Sequence, residues 1–244
     1  METGYSRDLL NHEDEMARNL GRQDLPLTDL AAAYLDLLLS GNRQQAVDLI
    51  QNRVQQDVSI KDLYLYVFQR IQLEIGRLWE NNQISVAQEH YCSAATQLIM
   101  SLLYPRILNS SPRKPSIVST CVGDELHEIG IRMVTDFFEM EGWKTYYLGA
   151  NAPAKTILAA LKEREADILA ISATITYHIP QVQELIREVR GSDSAATKIL
   201  VGGRPFLLAP NLWHQLGADA FAADAQQAVE VAATLFTLEG ERDR

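Results

Sequence analysis

One octapeptide, Gly123-Asp124-Glu125-Leu126-His127-Glu128-Ile129-Gly130, joins two contrasting patterns in the sequence. The residues before it, 117–122, form an apolar run typical of a buried strand, and those after it, 131–140, have the pattern of a helix. A histidine in a strand-to-helix turn lies at the carboxyl edge of a sheet, where α/β folds bind their ligands. The octapeptide therefore predicts both an α/β fold and a ligand site around His127.

Three residues of the octapeptide suit a ligand that contains a metal. Glu125 is placed to hold one ring nitrogen of His127 and to leave the other nitrogen for the metal. Gly130 lets the backbone approach a large, flat ligand closely. A histidine at a loop–helix junction is also commonly a helix cap or a surface residue, so the turn alone leaves both interpretations open.

Strand-like runs alternate with helix-like runs through the second half of the chain. The strand-like runs cover residues 117–122, 144–148, 167–172, 198–201 and 220–223. This alternation predicts a doubly wound parallel sheet, and five such units match the flavodoxin-like topology. We therefore predict a flavodoxin-like, five-stranded parallel α/β domain over residues 116–244. The Gly-x-Gly-x-x-Gly fingerprint is missing after the first strand, which argues against a dinucleotide site.

The first half of the chain has helical periodicity. It is divided by caps and breaks at Thr28, Gly41-Asn42, Ser59, Asn81-Asn82-Gln83 and Ser85. Four helices with short links predict a compact four-helix bundle over residues 28–108. The polar residues 1–27 are predicted to form a loosely held tail, and residues 109–115 (Asn-Ser-Ser-Pro-Arg-Lys-Pro) a linker. The fold class is thus an α bundle followed by an α/β domain.

The composition argues against several classes of protein. The formal net charge is −10, which opposes direct binding to nucleic acid or to an anionic membrane. No apolar run reaches the length of about 18 residues expected of a membrane span, and the N-terminus lacks the apolar segment of a signal peptide. The two cysteines, Cys92 and Cys121, fit no metal-binding spacing and favour a reduced, cytoplasmic location.

Small or polar residues also stand at the ends of two later strand-like runs, and together with the octapeptide they follow the motif order of a known family. Ser172-Ala173-Thr174 closes the third strand-like run, and Gly202-Gly203 closes the fourth. With Glu125-x-His127-x-x-Gly130, they resemble the cobalamin-binding domain of methionine synthase and its relatives, over about residues 115–238. Taken singly, the same residues also suit helix caps and a strand-end turn.

The resemblance implies cobalamin as the cofactor and assigns roles to these residues. His127 is expected to be the lower axial ligand of cobalt, with Glu125 as its orienting partner. Small residues are expected to line a slot for the nucleotide tail of the cofactor; they are Ser172, Thr174, Gly202 and Gly203. Tyr177 and His178 follow the third strand end and either face the ligand or lie in a solvated loop, and the loop is our expectation.

The helical half resembles the cap of the CarH-type photoreceptors, which are light-sensitive repressors that use adenosylcobalamin. The likeness rests on Trp79 and on residues 84–90, Ile-Ser-Val-Ala-Gln-Glu-His. It implies that Trp79, Glu89 and His90 pack over the upper face of the corrin and accommodate the adenosyl group. From the pattern alone, Trp79 is a core residue of the bundle and Glu89-His90 a solvated pair. The sequence departs from those photoreceptors at two points. They carry a histidine directly after the tryptophan, where this chain has Glu80. Residues 1–27 are also too few for their DNA-binding domain.

Functions from different classes fit these observations, and in the first two the protein is not itself an enzyme. The first is a light-responsive adenosylcobalamin sensor, in which cleavage of the cobalt–carbon bond changes the arrangement of cap and domain, the assembly state and the contact with a protein partner. The alternative is a corrinoid carrier protein for methyl transfer. Trp79 and Glu89-His90 favour the sensor, whereas the lack of an output domain favours the carrier. A third interpretation, a subunit of an adenosylcobalamin-dependent mutase, would need a substrate barrel that this chain does not encode.

Overall fold

The computed structural model describes residues 25–108 and 113–240. The chain divides into two compact units between Arg106 and Ile107. Residues 1–24 of the predicted tail and 109–112 of the predicted linker lie outside the described residues. Of the remaining linker residues, 113–115 belong to the first strand, because the strand begins at Arg113.

The first unit consists of helices, as predicted. They are α1 (Thr28–Leu39), α2 (Arg43–Gln55), α3 (Ile60–Asp62), α4 (Arg70–Glu80) and α5 (Val86–Ile107), with a π-helical segment (Leu63–Gln69) that joins α3 to α4. The π-helical segment was not predicted, because apolar periodicity does not separate an i→i+5 segment from an α-helix. Two of its buried aromatic rings, Tyr64 and Phe68, lie 5.4 Å apart, and Phe68 lies 5.7 Å from Tyr34 of α1.

The second unit alternates strands and helices. Its elements are β1 (Arg113–Cys121), α6 (Ile129–Met140), β2 (Trp143–Gly149), α7 (Ala154–Arg164), β3 (Ile168–Ser172), a 3-10 turn (Thr176–His178), α8 (Ile179–Arg190), β4 (Lys198–Gly202), α9 (Arg204–Leu208), α10 (Leu212–Leu216), β5 (Ala220–Ala222) and α11 (Ala225–Gly240). All strand pairs are parallel, and the order is β2-β1-β3-β4-β5. This is the flavodoxin-like order, so the predicted fold class is confirmed.

Both faces of the sheet are covered, which explains why its strands are apolar at successive positions. On one face, Val118 and Leu169 belong to an apolar cluster with residues of α7 and α8. On the other face, Ile117 and Ile168 belong to a second cluster with residues of α6 and α11. All five residues of β3 are buried, as expected of the central strand.

Within residues 25–108 and 113–240, no helix combines the length and the apolarity that crossing a bilayer requires.

Candidate cofactor site

The carboxyl ends of three strands meet side by side at one edge of the sheet. Cys121 at the end of β1 pairs with Ser172 of β3, and Ser172 pairs with Gly202 of β4. Gly130, near the start of α6, lies over the same edge, because a β-carbon built on it would be 4.0 Å from Ser172 Oγ. The fold thus brings Gly130, Ser172 and Gly202 together from three separate parts of the sequence.

Glu125 connects the loop after β1 to the loop after β3. Its side chain is fully buried, at 0% exposure. One carboxylate oxygen, Oε1, accepts a hydrogen bond from the backbone N–H of His127 at 3.0 Å and lies 2.5 Å from His127 Nδ1. The other oxygen, Oε2, accepts from the backbone N–H groups of Thr174 (2.8 Å) and Ile175 (3.2 Å) and lies 2.9 Å from His178 Nδ1.

These donors keep Glu125 ionised. Burial alone would raise its pKa, but hydrogen bonds from His127, His178 and the backbone of Thr174 hold the pKa well below the usual range for glutamate. Because the carboxylate is an acceptor only, each imidazole presents a protonated Nδ1 to it. In this tautomer the lone pair of His127 lies on Nε2, the nitrogen suited to bind a metal.

The imidazole of His127 is accessible although its partner is buried. Its side chain is 46% exposed. Apolar side chains are exposed on the two loops that Glu125 connects: Leu126 at 70%, Ile175 at 44% and Tyr177 at 79%. Imidazole is a good ligand for cobalt, and apolar surface suits the face of a large ring. The residues present therefore fit a cobalt corrinoid bound through His127.

His178 also belongs to this site, although the sequence pattern did not predict it there. We expected it in a solvated loop, but its side chain is only 8% exposed and contacts Glu125. It ends the 3-10 turn, and α8 begins at the next residue, so the chain turns back towards the sheet edge at this point. Its neighbour Tyr177 does match the expectation of an exposed loop residue.

The backbone conformation and the close packing at position 203 both require glycine. Its φ is +104°, and a β-carbon built on it would lie 2.0 Å from the carbonyl oxygen of Ala173. At Gly202, a β-carbon would lie 3.1 Å from the carbonyl oxygen of Ala222. Close packing of the turn after β4 against its neighbours thus explains Gly203 without reference to a ligand.

The remaining predicted residues, Trp79, Glu89 and His90, belong to the helical unit. Trp79 is 44% exposed near the end of α4, so the core position predicted from the pattern alone was wrong. Glu89 Oε2 lies 2.5 Å from His90 Nδ1, and Glu89 Oε1 accepts a hydrogen bond from Ser93 Oγ at 2.9 Å. The His90 side chain is 75% exposed and the Glu89 side chain 21%, so the expectation of a solvated pair holds for His90 and not for Glu89.

Comparison with known proteins matches both units to cobalamin-binding families. Residues 115–233 match the B12 binding domain family, and residues 30–104 match a second family of B12 binding domains. A corrinoid protein of Desulfitobacterium hafniense is 26% identical over 212 residues, which cover 84% of this chain and 95% of that protein. Dimethylamine corrinoid protein 3 of Methanosarcina mazei is 30% identical over 131 residues, which cover 52% of this chain and 75% of that protein.

A solved structure shares the fold. The monomethylamine corrinoid protein of Methanosarcina barkeri superposes with a TM-score of 0.75 at 20% identity, over 86% of this chain and 99% of that one. The two sequence relatives are named as corrinoid proteins, and neither is named as an enzyme or a photoreceptor. The prediction of a cobalamin-binding protein is confirmed, whereas the narrower assignment to the CarH-type photoreceptors is not supported. The chain belongs to the corrinoid proteins, and both of its units match families of B12 binding domains.

Proposed function

We propose that this protein is a corrinoid carrier, which holds cobalamin while methyl groups are transferred to and from it by partner methyltransferases. The observation that supports the proposal is the similarity to proteins named as corrinoid proteins. One covers 84% of this chain, and another, a dimethylamine corrinoid protein, covers 52% of it. The carrier was the alternative reading of the sequence, and it now takes precedence over the light sensor.

Within this proposal, the residues at the sheet edge hold the cofactor. His127 binds cobalt through Nε2, and Glu125 holds the opposite side of the ring. Gly130 lets the backbone approach the corrin closely. Small residues give room to the nucleotide tail; they are Ser172, Thr174, Gly202 and Gly203. Bound there, cobalamin would supply a cobalt centre that can carry a methyl group between partner methyltransferases. Both cysteines are buried free thiols, which supports a reduced, cytoplasmic location.

The carrier proposal is tested by cofactor preference. The purified protein is reconstituted with methylcobalamin or adenosylcobalamin in the dark, and absorption and size-exclusion profiles are recorded before and after green light. We expect a stable methylcobalamin complex, weaker adenosylcobalamin binding and no change of size with light. Preference for adenosylcobalamin together with a light-dependent change of size would overturn the proposal.

A variant of the proposed ligand serves as the control in that experiment. His127→Ala is expected to lose the histidine-bound spectrum and to bind cobalamin at least about tenfold more weakly, because a cobalt ligand is removed. His214→Ala replaces another exposed histidine, on α10, and is expected to leave both unchanged. Equal behaviour of the two variants would contradict the assignment of His127.

The adenosylcobalamin sensor remains a second candidate because of Trp79. An indole that is 44% exposed near the end of α4 offers a face on which an adenine ring can stack. If Trp79 has this role, Trp79→Ala weakens binding of adenosylcobalamin by about fivefold more than binding of hydroxocobalamin. Leu73→Ala, which removes another exposed apolar residue of the same helix, is the matched control. An equal loss for both cofactor forms would remove the support for the sensor.

A further inference from the structure

The end of β2 and the residues that follow it form hydrogen bonds with the loop that carries His127, on both sides of His127. On the N-terminal side, Asn151 Oδ1 accepts a hydrogen bond from the backbone N–H of Asp124 at 2.9 Å. The backbone N–H of Asn151 donates in return to the carbonyl oxygen of Glu125 at 3.0 Å. On the C-terminal side, Glu128 Oε2 accepts from the backbone N–H of Ala150 at 3.0 Å. We call residues 149–151 the brace.

The residue types of the brace match what this geometry demands. Asn151 has a φ of +51°, in the left-handed region where asparagine is among the few favoured residues. Gly149 has a φ of +76°, and a β-carbon on it would lie 2.9 Å from Glu128 Oε2. Glycine at 149 thus leaves room for Glu128 to reach Ala150, while asparagine at 151 supplies both the backbone conformation and the acceptor.

The brace acts on the residue that orients the proposed cobalt ligand. Glu125 offers its carbonyl oxygen to Asn151 and its carboxylate to His127 Nδ1. A shift of the backbone at residue 125 therefore moves the carboxylate and, with it, the imidazole. Ligand loops that are held in place before binding pay less ordering entropy when the ligand arrives.

We propose that Asn151 is a positioning residue, which holds the loop of Glu125 and His127 in the geometry that presents His127 Nε2 to cobalt. The proposal rests on His127 as the cobalt ligand. It is independent of whether the protein is a carrier or a sensor, because both functions use the same lower ligand.

Two substitutions separate the side chain of Asn151 from its backbone conformation. Asn151→Gly removes the acceptor oxygen but keeps the left-handed conformation accessible. Asn151→Asp retains an acceptor oxygen and a residue type that tolerates this conformation. Asn151 is exposed, so we expect both variants to fold.

The readout is the electron paramagnetic resonance spectrum of the Co(II) form of bound cobalamin, with the dissociation constant measured in parallel. The protein is labelled with 15N-histidine, because the benzimidazole of cobalamin is also a nitrogen ligand of cobalt and an unlabelled spectrum would not separate the two. A coordinated 15N nucleus splits the cobalt lines differently from 14N, and this 15N pattern, the nitrogen splitting used below, reports the fraction of protein in which a histidine is bound. Asn151→Gly is expected to lower that fraction and to weaken cobalamin binding about three- to tenfold, the effect of losing one hydrogen bond. Asn151→Asp is expected to restore most of both.

A double-mutant cycle shows whether Asn151 acts through His127. In a His127→Ala background, Asn151→Gly is expected to change cobalamin affinity by less than about twofold. The same loss in both backgrounds, or an unaltered nitrogen splitting in Asn151→Gly, would overturn the role of Asn151 alone. A wild-type spectrum without nitrogen splitting would overturn the ligand assignment and this proposal together. All of these measurements are independent of the preference between methylcobalamin and adenosylcobalamin, which is the test of the carrier function.

Discussion

Glu125→Ala is expected to lower the stability of the α/β unit and to abolish histidine ligation of cobalt. The Glu125 carboxylate is fully buried, and both of its oxygens are used. Its removal leaves the Nδ1 atom of His178 and the N–H groups of Thr174 and Ile175 without their acceptor. Breaking a buried charged network from one side costs about 3–5 kcal/mol, which chemical denaturation of the apo protein would measure.

Glu125→Gln separates the charge of this side chain from its shape. The amide oxygen can replace one carboxylate oxygen, but the amide N–H₂ group faces N–H donors, so we expect intermediate stability and no fixed orientation of His127. Because the pKa of Glu125 is lowered, the ionised carboxylate stabilises the fold above the usual glutamate pKa of about 4.3. The advantage of the wild type over Glu125→Gln should therefore shrink as the pH falls below that value. A Glu125→Ala variant that keeps wild-type stability, or that keeps the nitrogen splitting of bound Co(II) cobalamin, would contradict the central role of this carboxylate.

The part of this site that could be predicted from the sequence is the part that is local in the chain. Glu125 and His127 are two residues apart in one turn, so their contact follows from turn geometry. His178 lies 53 positions from Glu125, and only the 3-10 turn after β3 brings it to the same carboxylate. The brace could not be predicted from the sequence either, because its contact with the His127 loop depends on β2 lying next to β1 in the sheet.

The sheet itself was predictable for a different reason. Alternating strands and helices allow few parallel topologies, and the observed order is one of the two common ones. Periodicity was a poorer guide to Trp79, because it shows that a helix has an apolar face and does not show how far that face is covered. Trp79 lies one residue before the end of α4, where the described part of the helical unit leaves the indole 44% exposed.

Gly203→Ala is expected to destabilise the fold by more than about 3 kcal/mol, because two independent costs add. The backbone at Gly203, with φ +104° and ψ 174°, lies in a region that is essentially restricted to glycine. The new β-carbon would also lie 2.0 Å from the carbonyl oxygen of Ala173, which is backbone and cannot rotate away. Urea denaturation of the apo protein measures this loss without any contribution from cobalamin.

Gly123→Ala is the matched control for the same edge of the sheet. A β-carbon on Gly123 would meet no atom within 4 Å, so we expect a change of less than about 1 kcal/mol. Gly202→Ala should fall between the two, since its β-carbon would lie 3.1 Å from the carbonyl oxygen of Ala222. Equal stability of the Gly203→Ala and Gly123→Ala variants would contradict the packing explanation of Gly203.

Because Gly202→Ala is expected to be less destabilised than Gly203→Ala, a role in cofactor binding can be measured at Gly202. A substitution at Gly203 weakens the fold and distorts the site together, so a loss of cobalamin binding there says nothing about the nucleotide tail. Gly202→Ala is expected to remain folded while placing one methyl group at the sheet edge beside Ser172. If residues 202 and 172 line the tail slot, this variant binds cobalamin more weakly but keeps its affinity for cobinamide, which lacks the nucleotide tail. Equal losses for both ligands would place the tail elsewhere and leave packing as the reason for both glycines.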